Sequence, residues 1–394
     1  MPVTSRFKLH RRQQQLAKHK RQGGVVLIVV VLAIVLMVTL LAIMIEDQHI
    51  FIRRLGNQKV AEQGYQYSQG LNAWAERVLH DDANRTIDHL GEKWAKFGRP
   101  EEDGNGEDGE SESFSLDRST VAAEQEGKDE KEATIDFGID GLEVSIDDLQ
   151  GRYNLNNLAV KEPQAANGQK RIFLNLLGLL EIGEFDQRDR LHGALVDWID
   201  ENDLSGPNGF ESGDYGSKRV PYFAADQKLT SIGELRFVEG FTEDVINTLR
   251  PFVTVLPVEN AKININTTTA EVLASLNGAT VTDTSSVAGF LARRLDPDFQ
   301  GFSQITDAET AIIGASVVPS QAIAGMMQVN SQFFQINAKV TLGSSVFCME
   351  SLVLRESASA DGGTTPKVSV LSRQHNTLCE EQSPITTNSD EDLS

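Results

Sequence analysis

The chain has 394 residues, enough for two or three domains, and a formal net charge of -21. So acidic a surface repels phosphate backbones and anionic headgroups, which argues against nucleic-acid binding and suits a polyelectrolyte that holds divalent cations. Two cysteines, Cys348 and Cys379, are present; they supply no disulfide framework, and in an oxidising compartment they can form one staple or stay as free thiols.

From Val25 to Ile45 no residue is charged and Thr39 is the one polar side chain. At about 1.5 Å per residue such a helix just crosses a hydrocarbon core of about 30 Å. Before it stand Arg6, Lys8, Arg11, Arg12, Lys18, Lys20 and Arg21 with no acid, a bias that holds this end in the cytoplasm and puts the polar bulk outside. The apolar run exceeds a usual secretory h-region, and Ala42-Ile43-Met44 makes a poor cleavage site at its end. The small residues come first, at Gly23 and Gly24. A basic leader ending in glycine, then an intact apolar helix, resembles a type IV prepilin signal. That resemblance implies cleavage between Gly24 and Val25 by a prepilin peptidase, methylation of the new terminus, and a mature chain that keeps its membrane helix; a plain single-pass anchor is the alternative. Most pilin-like subunits carry Glu at the fifth mature position, where this chain has Val29. An unpaired carboxylate in the bilayer costs about 2.5–3.5 kcal/mol, so a subunit with no neighbour above it has reason to omit one. The omission resembles the K-type minor pseudopilins of type II secretion systems.

Glu46 to His80 contains no proline, and Ile50, Leu55, Val60, Leu71, Trp74, Ala75, Val78 and Leu79 recur at helical spacing. One long helix from near Val25 to about His80 is predicted, with Gly56, Gly64 and Gly70 as weak points. Residues 98–133 are rich in Glu, Asp, Gly and Ser and are predicted to be a mobile acidic loop. Two alternating runs around Asp140-Gly141 predict a hairpin. The run Asp147-Asp148-Leu149-Gln150-Gly151-Arg152-Tyr153-Asn154-Leu155-Asn156-Asn157-Leu158 follows; Asn154 and Asn156 suit turn caps. It is similar to a run that leads, in K-type pseudopilins, from the sheet into an inserted helical domain. Helices are predicted at 171–180, 188–199, 231–237 and 243–249, with Thr242 and either Thr230 or Ser231 as caps. Further helices are predicted at 303–314 and 319–328, then strands at 331–341, 345–355 and 366–373.

Two stretches carry candidate chemistry. Residues 197–215 place acidic and amide side chains among Gly and Pro just past a helix C-terminus, where the helix dipole adds negative charge. Such oxygen-rich loops suit Ca²⁺, which takes six to eight oxygen ligands in flexible geometry. Asp200, Asn202, Asp203, Glu211 and Asp214 are the candidate ligands, and an acidic surface turn is the alternative. The spacing is not that of an EF-hand; it resembles the calcium loop of K-type pseudopilins, which implies a structural Ca²⁺. The second stretch, Lys262-Ile263-Asn264-Ile265-Asn266-Thr267-Thr268-Thr269-Ala270-Glu271-Val272-Leu273, is similar to the opening of helix-hairpin-helix DNA-binding modules of competence proteins. Those modules need a Gly-Ile-Gly type hairpin with flanking bases, whereas Asn277-Gly278-Ala279-Thr280 follows here and few bases are near. The same run occurs in K-type pseudopilins. No HExxH, GxSxG, GxxxxGK(S/T) or CxxC motif is present; no enzymatic activity is expected, with a hydrolase using the acidic loop as the rival.

Taken in order, these motifs resemble the K subunit of the general secretion pathway over nearly the whole chain. The resemblance implies an α+β, pilin-like fold in which a long N-terminal transmembrane helix packs on an antiparallel sheet carrying a large inserted all-α domain. The expected division is a leader 1–24, helix and extension 25–97 (transmembrane 25–45), acidic loop 98–133, first sheet part 134–160, insert 161–327, second sheet part 328–381 and polar tail 382–394. It further implies an inner-membrane protein with a cytoplasmic N-terminus and periplasmic bulk. Its partners would be I-type and J-type minor pseudopilins in a tip heterotrimer, other pseudopilins and the prepilin peptidase, and no nucleic acid.

Overall fold

A computed structural model describes residues 23–82, 86–97, 139–277, 281, 283–294, 296, 299–306, 325–356 and 367–376. The chain divides into two compact units, Met1–Gln63 and Gly64–Ser394. Helix α1 spans Gly23–Asp81. In the first unit it is long and apolar enough from Val25 onward to cross a membrane, and its apolar side chains are exposed. The expected acidic loop and the polar tail lie outside the described residues, as does the leader up to residue 22.

In the second unit the end of α1 turns an apolar stripe, Leu71, Ala75 and Leu79, into the core. Gly64 has a packing role here: a Cβ at this position would overlap the Phe347 ring, so only glycine lets the ring seat against the helix. Arg373 fastens the same helix from outside through Gln69 (2.9 Å) and Glu76 (2.8 Å). A short helix α2, Lys93–Lys96, follows and buries Trp94, whose ring meets Phe334 edge-on.

Strand β1 runs Ile139–Asp148. The predicted hairpin at Asp140-Gly141 is not formed: β1 passes straight through that dipeptide and pairs with a strand far along the chain, and Gly141 sits at a register shift between Ile139 and Gly141. A glycine inside an alternating run signals a bulge as readily as a turn. The insert begins with a 3₁₀ turn at Leu149–Gly151, strand β2 at Tyr153–Asn154 and a second 3₁₀ turn at Leu155–Ala159. Helix α3 spans Pro163–Leu179, starting two turns before its predicted start at residue 171. Pro163 at the first helical position suits an N-terminus, and Glu162 caps it by accepting from Gln164 N and Ala165 N. Helix α4 is Phe185–Ile199, α5 Ser212–Gly216, and a capped 3₁₀ helix occupies Ile232–Phe237 where an α-helix was predicted. Next come α6 (Glu243–Leu249), β3 (Val253–Thr254), β4 (Ile263–Asn264), α7 (Ala270–Ser275), a 3₁₀ turn at Ser285–Val287 and α8 (Ala288–Arg294).

Strand β5, Met327–Gln328, replaces the end of the helix predicted over 319–328; it pairs in parallel with β4 as the chain leaves the insert. Strands β6 (Phe333–Leu342), β7 (Ser345–Arg355) and β8 (Val368–Asn376) complete the main sheet. Its order is β1-β6-β7-β8, antiparallel throughout. Period-two burial puts Phe334, Ile336, Ala338 and Val340 on the core face, and polar Gln335, Asn337 and Lys339 alternate with them. The insert thus separates two strands that are neighbours in one sheet. It has its own core, with Ile172, Phe173, Leu176, Leu195, Trp198, Leu235, Leu249 and Leu273 among its buried residues. Each such side chain contributes roughly 1.5–3 kcal/mol on full burial.

Candidate metal centre

The acidic loop is organised by a residue that composition alone did not single out. Asp197, buried in the last turn of α4, accepts from Gly206 N with both carboxylate oxygens at 3.2 Å. The loop closes over it because Gly209 has no side chain; a Cβ there would overlap the Asp197 carboxylate, and one on Gly193 would strike the Asn208 backbone. Asn208 takes a left-handed φ of 60° and donates to Asp189 at 2.6 Å. Two Asx turns follow the helix end: Asp200 Oδ1 accepts from Asn202 N, and Asn202 Oδ1 accepts from Leu204 N. Beyond the loop, Tyr215 is fully buried against Trp198, Phe210 and Tyr222. Lys218 Nζ lies 4.7 Å from the Tyr215 ring centroid and 2.7 Å from Glu239, closing the aromatic cluster from above.

Three carboxylates converge where these segments meet. Ligand oxygens of Asp203, Glu211 and Asp226 lie within 4.8 Å of one another. Glu211 is 5% exposed, and neither of its oxygens has a hydrogen-bond donor; Asp226 Oδ1 is likewise buried and without one. Asp226 is held toward the cluster at a φ of 48°. Burial, then the charges of Asp197 and Asp200, pushes the Glu211 carboxyl up to about 7. Asp226 is raised by burial and by Asp203 and Asp200. Burying carboxylates without donors is costly, and a hard divalent cation satisfies such oxygens. The residues therefore fit a Ca²⁺ ion.

Of the five candidate ligands, Asp203 and Glu211 are brought together, and Asp200 is near enough to perturb both Glu211 and Asp226. Asn202 Oδ1 is taken by its Asx turn, and Asp214 Oδ2 accepts from Glu211 N at 3.1 Å as part of the N-terminal turn of α5. Asp226 lies beyond 197–215, and an isolated acid in Ala-Ala-Asp-Gln gives no local signal. Gly24 and Val25 both fall within α1. Cys348 is disulfide-bonded, and Cys379 lies outside the described residues.

The asparagines of the two motif runs are structural. Asn156 Nδ2 donates to the Leu229 and Leu256 carbonyls and its Oδ1 accepts from Leu229 N. Asn264 Nδ2 donates to Asp88 O, Asp148 Oδ2 and Ser331 Oγ, and Asn266 spans Phe302 and Val329. With these amides consumed internally, the second run presents a packed core rather than a phosphate-binding hairpin.

The family model described as "Type II secretion system (T2SS), protein K" matches residues 151–258. Type II secretion system protein K of Pseudomonas aeruginosa is 28% identical over 310 residues, covering 76% of this chain and 79% of its own length. That of Aeromonas hydrophila is 26% identical over 322 residues, covering 77% and 84%. The chain is similar to type II secretion system protein K, through the family model over residues 151–258 and through relatives along most of their length. A solved chain of the GspK-GspI-GspJ complex from enterotoxigenic Escherichia coli has a TM-score of 0.60 with this fold at 21% identity, covering 82% of this chain and 99% of that one. The pilin-like α+β architecture of the protein K family is therefore the architecture here. The findings support a minor pseudopilin, and the N-terminal helix is long and apolar enough to cross a membrane.

Proposed function

We propose that this chain is a protein K that stands at the tip of the periplasmic pseudopilus, where it initiates and caps assembly with I-type and J-type minor pseudopilins for export of folded proteins across the outer membrane. The observation that carries this reading is the insert itself: some 180 residues between β1 and β6, built onto an otherwise pilin-like sheet. A domain of that bulk blocks addition of a further subunit above, and Val29 leaves the membrane helix with no carboxylate to offer such a neighbour. The basic leader holds the N-terminal end of the membrane helix on the cytoplasmic side of the inner membrane, where the prepilin peptidase cuts between Gly24 and Val25. Support for the partners comes from the solved relative, which is a component of a K-I-J complex. Co-expression of the full chain with tagged I-type and J-type subunits in detergent is expected to yield a co-eluting ternary complex; elution of this chain alone under conditions where I and J associate contradicts the reading.

Within this reading, Ca²⁺ is a structural ligand of Asp203, Glu211 and Asp226, with Asp200 close by. Binding to the native state alone stabilises it by about 2.7 kcal/mol at a hundredfold excess over Kd. EDTA is therefore expected to lower the melting temperature of the wild type. Glu211→Gln removes the buried charge and should melt at least as high as the wild type in EDTA, with the calcium response lost. An unchanged wild-type melting temperature in EDTA sinks the calcium assignment.

A further inference from the structure

Outside α1, the three most exposed large apolar side chains among the described residues are Phe223, Leu204 and Val220, at 79%, 78% and 70%. All three stand on the two segments that supply outer members of the carboxylate cluster: Leu204 directly follows Asp203, and Phe223 lies three residues before Asp226. The second segment is held firmly. Tyr222 packs its ring on Tyr215 and Trp198 and donates to the Phe237 carbonyl at 2.8 Å, and Ala224 N donates to Ser212 Oγ at 2.9 Å. The exposed Phe237 ring lies beside Tyr222, which extends the apolar surface. Large apolar side chains presented together on a fixed support mark a contact surface.

Charge decides what covers it. Arg219, next to Val220, is exposed and forms no ion pair with another described residue, whereas its neighbour Lys218 is taken by Glu239. Asp203 is the exposed member of the cluster, so a cation bound there is reachable from the surface. Ca²⁺ takes six to eight oxygens, more than one from each of three carboxylates, and phosphate oxygens can complete the set. A cation and an unpaired guanidinium set among apolar tips complement a phospholipid interface, where phosphates lie at one level and hydrocarbon just beneath. We propose that Leu204, Val220 and Phe223 form a calcium-dependent docking surface for a phospholipid bilayer, with Arg219 meeting the headgroup phosphates. It rests on the calcium reading above and not on the place at the tip. The net charge of -21 opposes contact with anionic headgroups, and Asp200, Asp203, Glu211 and Asp226 bring that repulsion to the patch itself. Glu201 close by is already paired with Lys161 at 2.8 Å. Docking therefore requires the ion, which cancels the local charge.

The test is capture of fluorescent vesicles, an equal mixture of phosphatidylethanolamine and phosphatidylglycerol, by the full-length chain held in phosphatidylcholine nanodiscs on beads, with empty nanodiscs as the blank. Wild type should capture about tenfold or more vesicles in calcium than in EDTA. The double variant Val220→Ser, Phe223→Ser should lose about tenfold or more of the capture in calcium, since burying a phenylalanine alone is worth that much. Both side chains are exposed, so its melting temperature and its calcium response should match the wild type. Wild type that melts higher in calcium but captures no vesicles overturns the docking surface and leaves the calcium reading standing. Capture that is equal in EDTA, or undiminished in the double variant, also overturns it. A double variant that captures vesicles as the wild type does but no longer co-elutes with the I-type and J-type subunits gives the patch to a protein partner instead. Wild type whose melting temperature ignores calcium fails the calcium reading, and the docking surface falls with it.

Discussion

Replacing Arg355 with leucine is expected to cost about 3–5 kcal/mol of stability, the usual penalty for removing one partner of a buried ion pair. Arg355 occupies a core-face position of β7, in register with Phe347, Met349 and Val353, and only 2% of its side chain is exposed. Its guanidinium joins Asp82 at the end of α1 to Asp88 and to the Ser331 carbonyl, and lies 4.6 Å from the Phe334 ring centroid. Leucine fills much of the volume but leaves the Asp88 carboxylate, which has no exposed surface, facing an apolar neighbour. Adding Asp88→Asn to the variant should recover part of the loss by removing the stranded charge. Chemical denaturation of the single and double variants checks both statements; a single variant within about 1 kcal/mol of wild type means these ion pairs do not fasten β7 to the segment after α1.

The second large effect is expected at Asn156. Its amide closes three backbone groups, the Leu229 and Leu256 carbonyls and the Leu229 N–H, with no exposed surface. Asn156→Leu orphans all three, each at about 1–3 kcal/mol. Leu229 lies three residues after Asp226, so the damage should reach the cation loop: beyond lower stability, the variant should show a smaller melting-temperature response to calcium than the wild type. Aspartate at the same position should be worse than leucine, because a carboxylate would face two carbonyl oxygens. Denaturation with and without EDTA measures both effects, and an Asn156→Leu variant with full calcium response would uncouple the amide from the loop.

Asn156 also marks where local reading stops. Its place in Asn-Leu-Asn-Asn suggested a turn cap, which is what Asn154 does for Asn156 N. The clamp across to Leu229 depends on chain brought near by folding, and nothing in the motif encodes it. Asp226 and Arg355 were illegible for the same reason: each gains its meaning from partners distant in the chain. The features that were legible are governed by neighbours. Helix α1 follows from its apolar stripe and lack of proline, and β6 and β7 from strict alternation. Thr242 caps a helix where its hydroxyl predicts. The failures at Gly141 and at Met327–Gln328 belong to short pieces whose pairing partner, β6 in one case and β4 in the other, decides their state.

The account rests on delivery of this chain to the membrane as a pilin-type subunit that keeps its apolar helix. The direct measurement is the intact mass and N-terminal sequence of the protein extracted from membranes of cells that contain a prepilin peptidase. The expected mature chain begins at Val25, carrying one methyl group on its terminal amine. A chain that begins beyond Ile45, or one that retains Met1 in those cells, contradicts it.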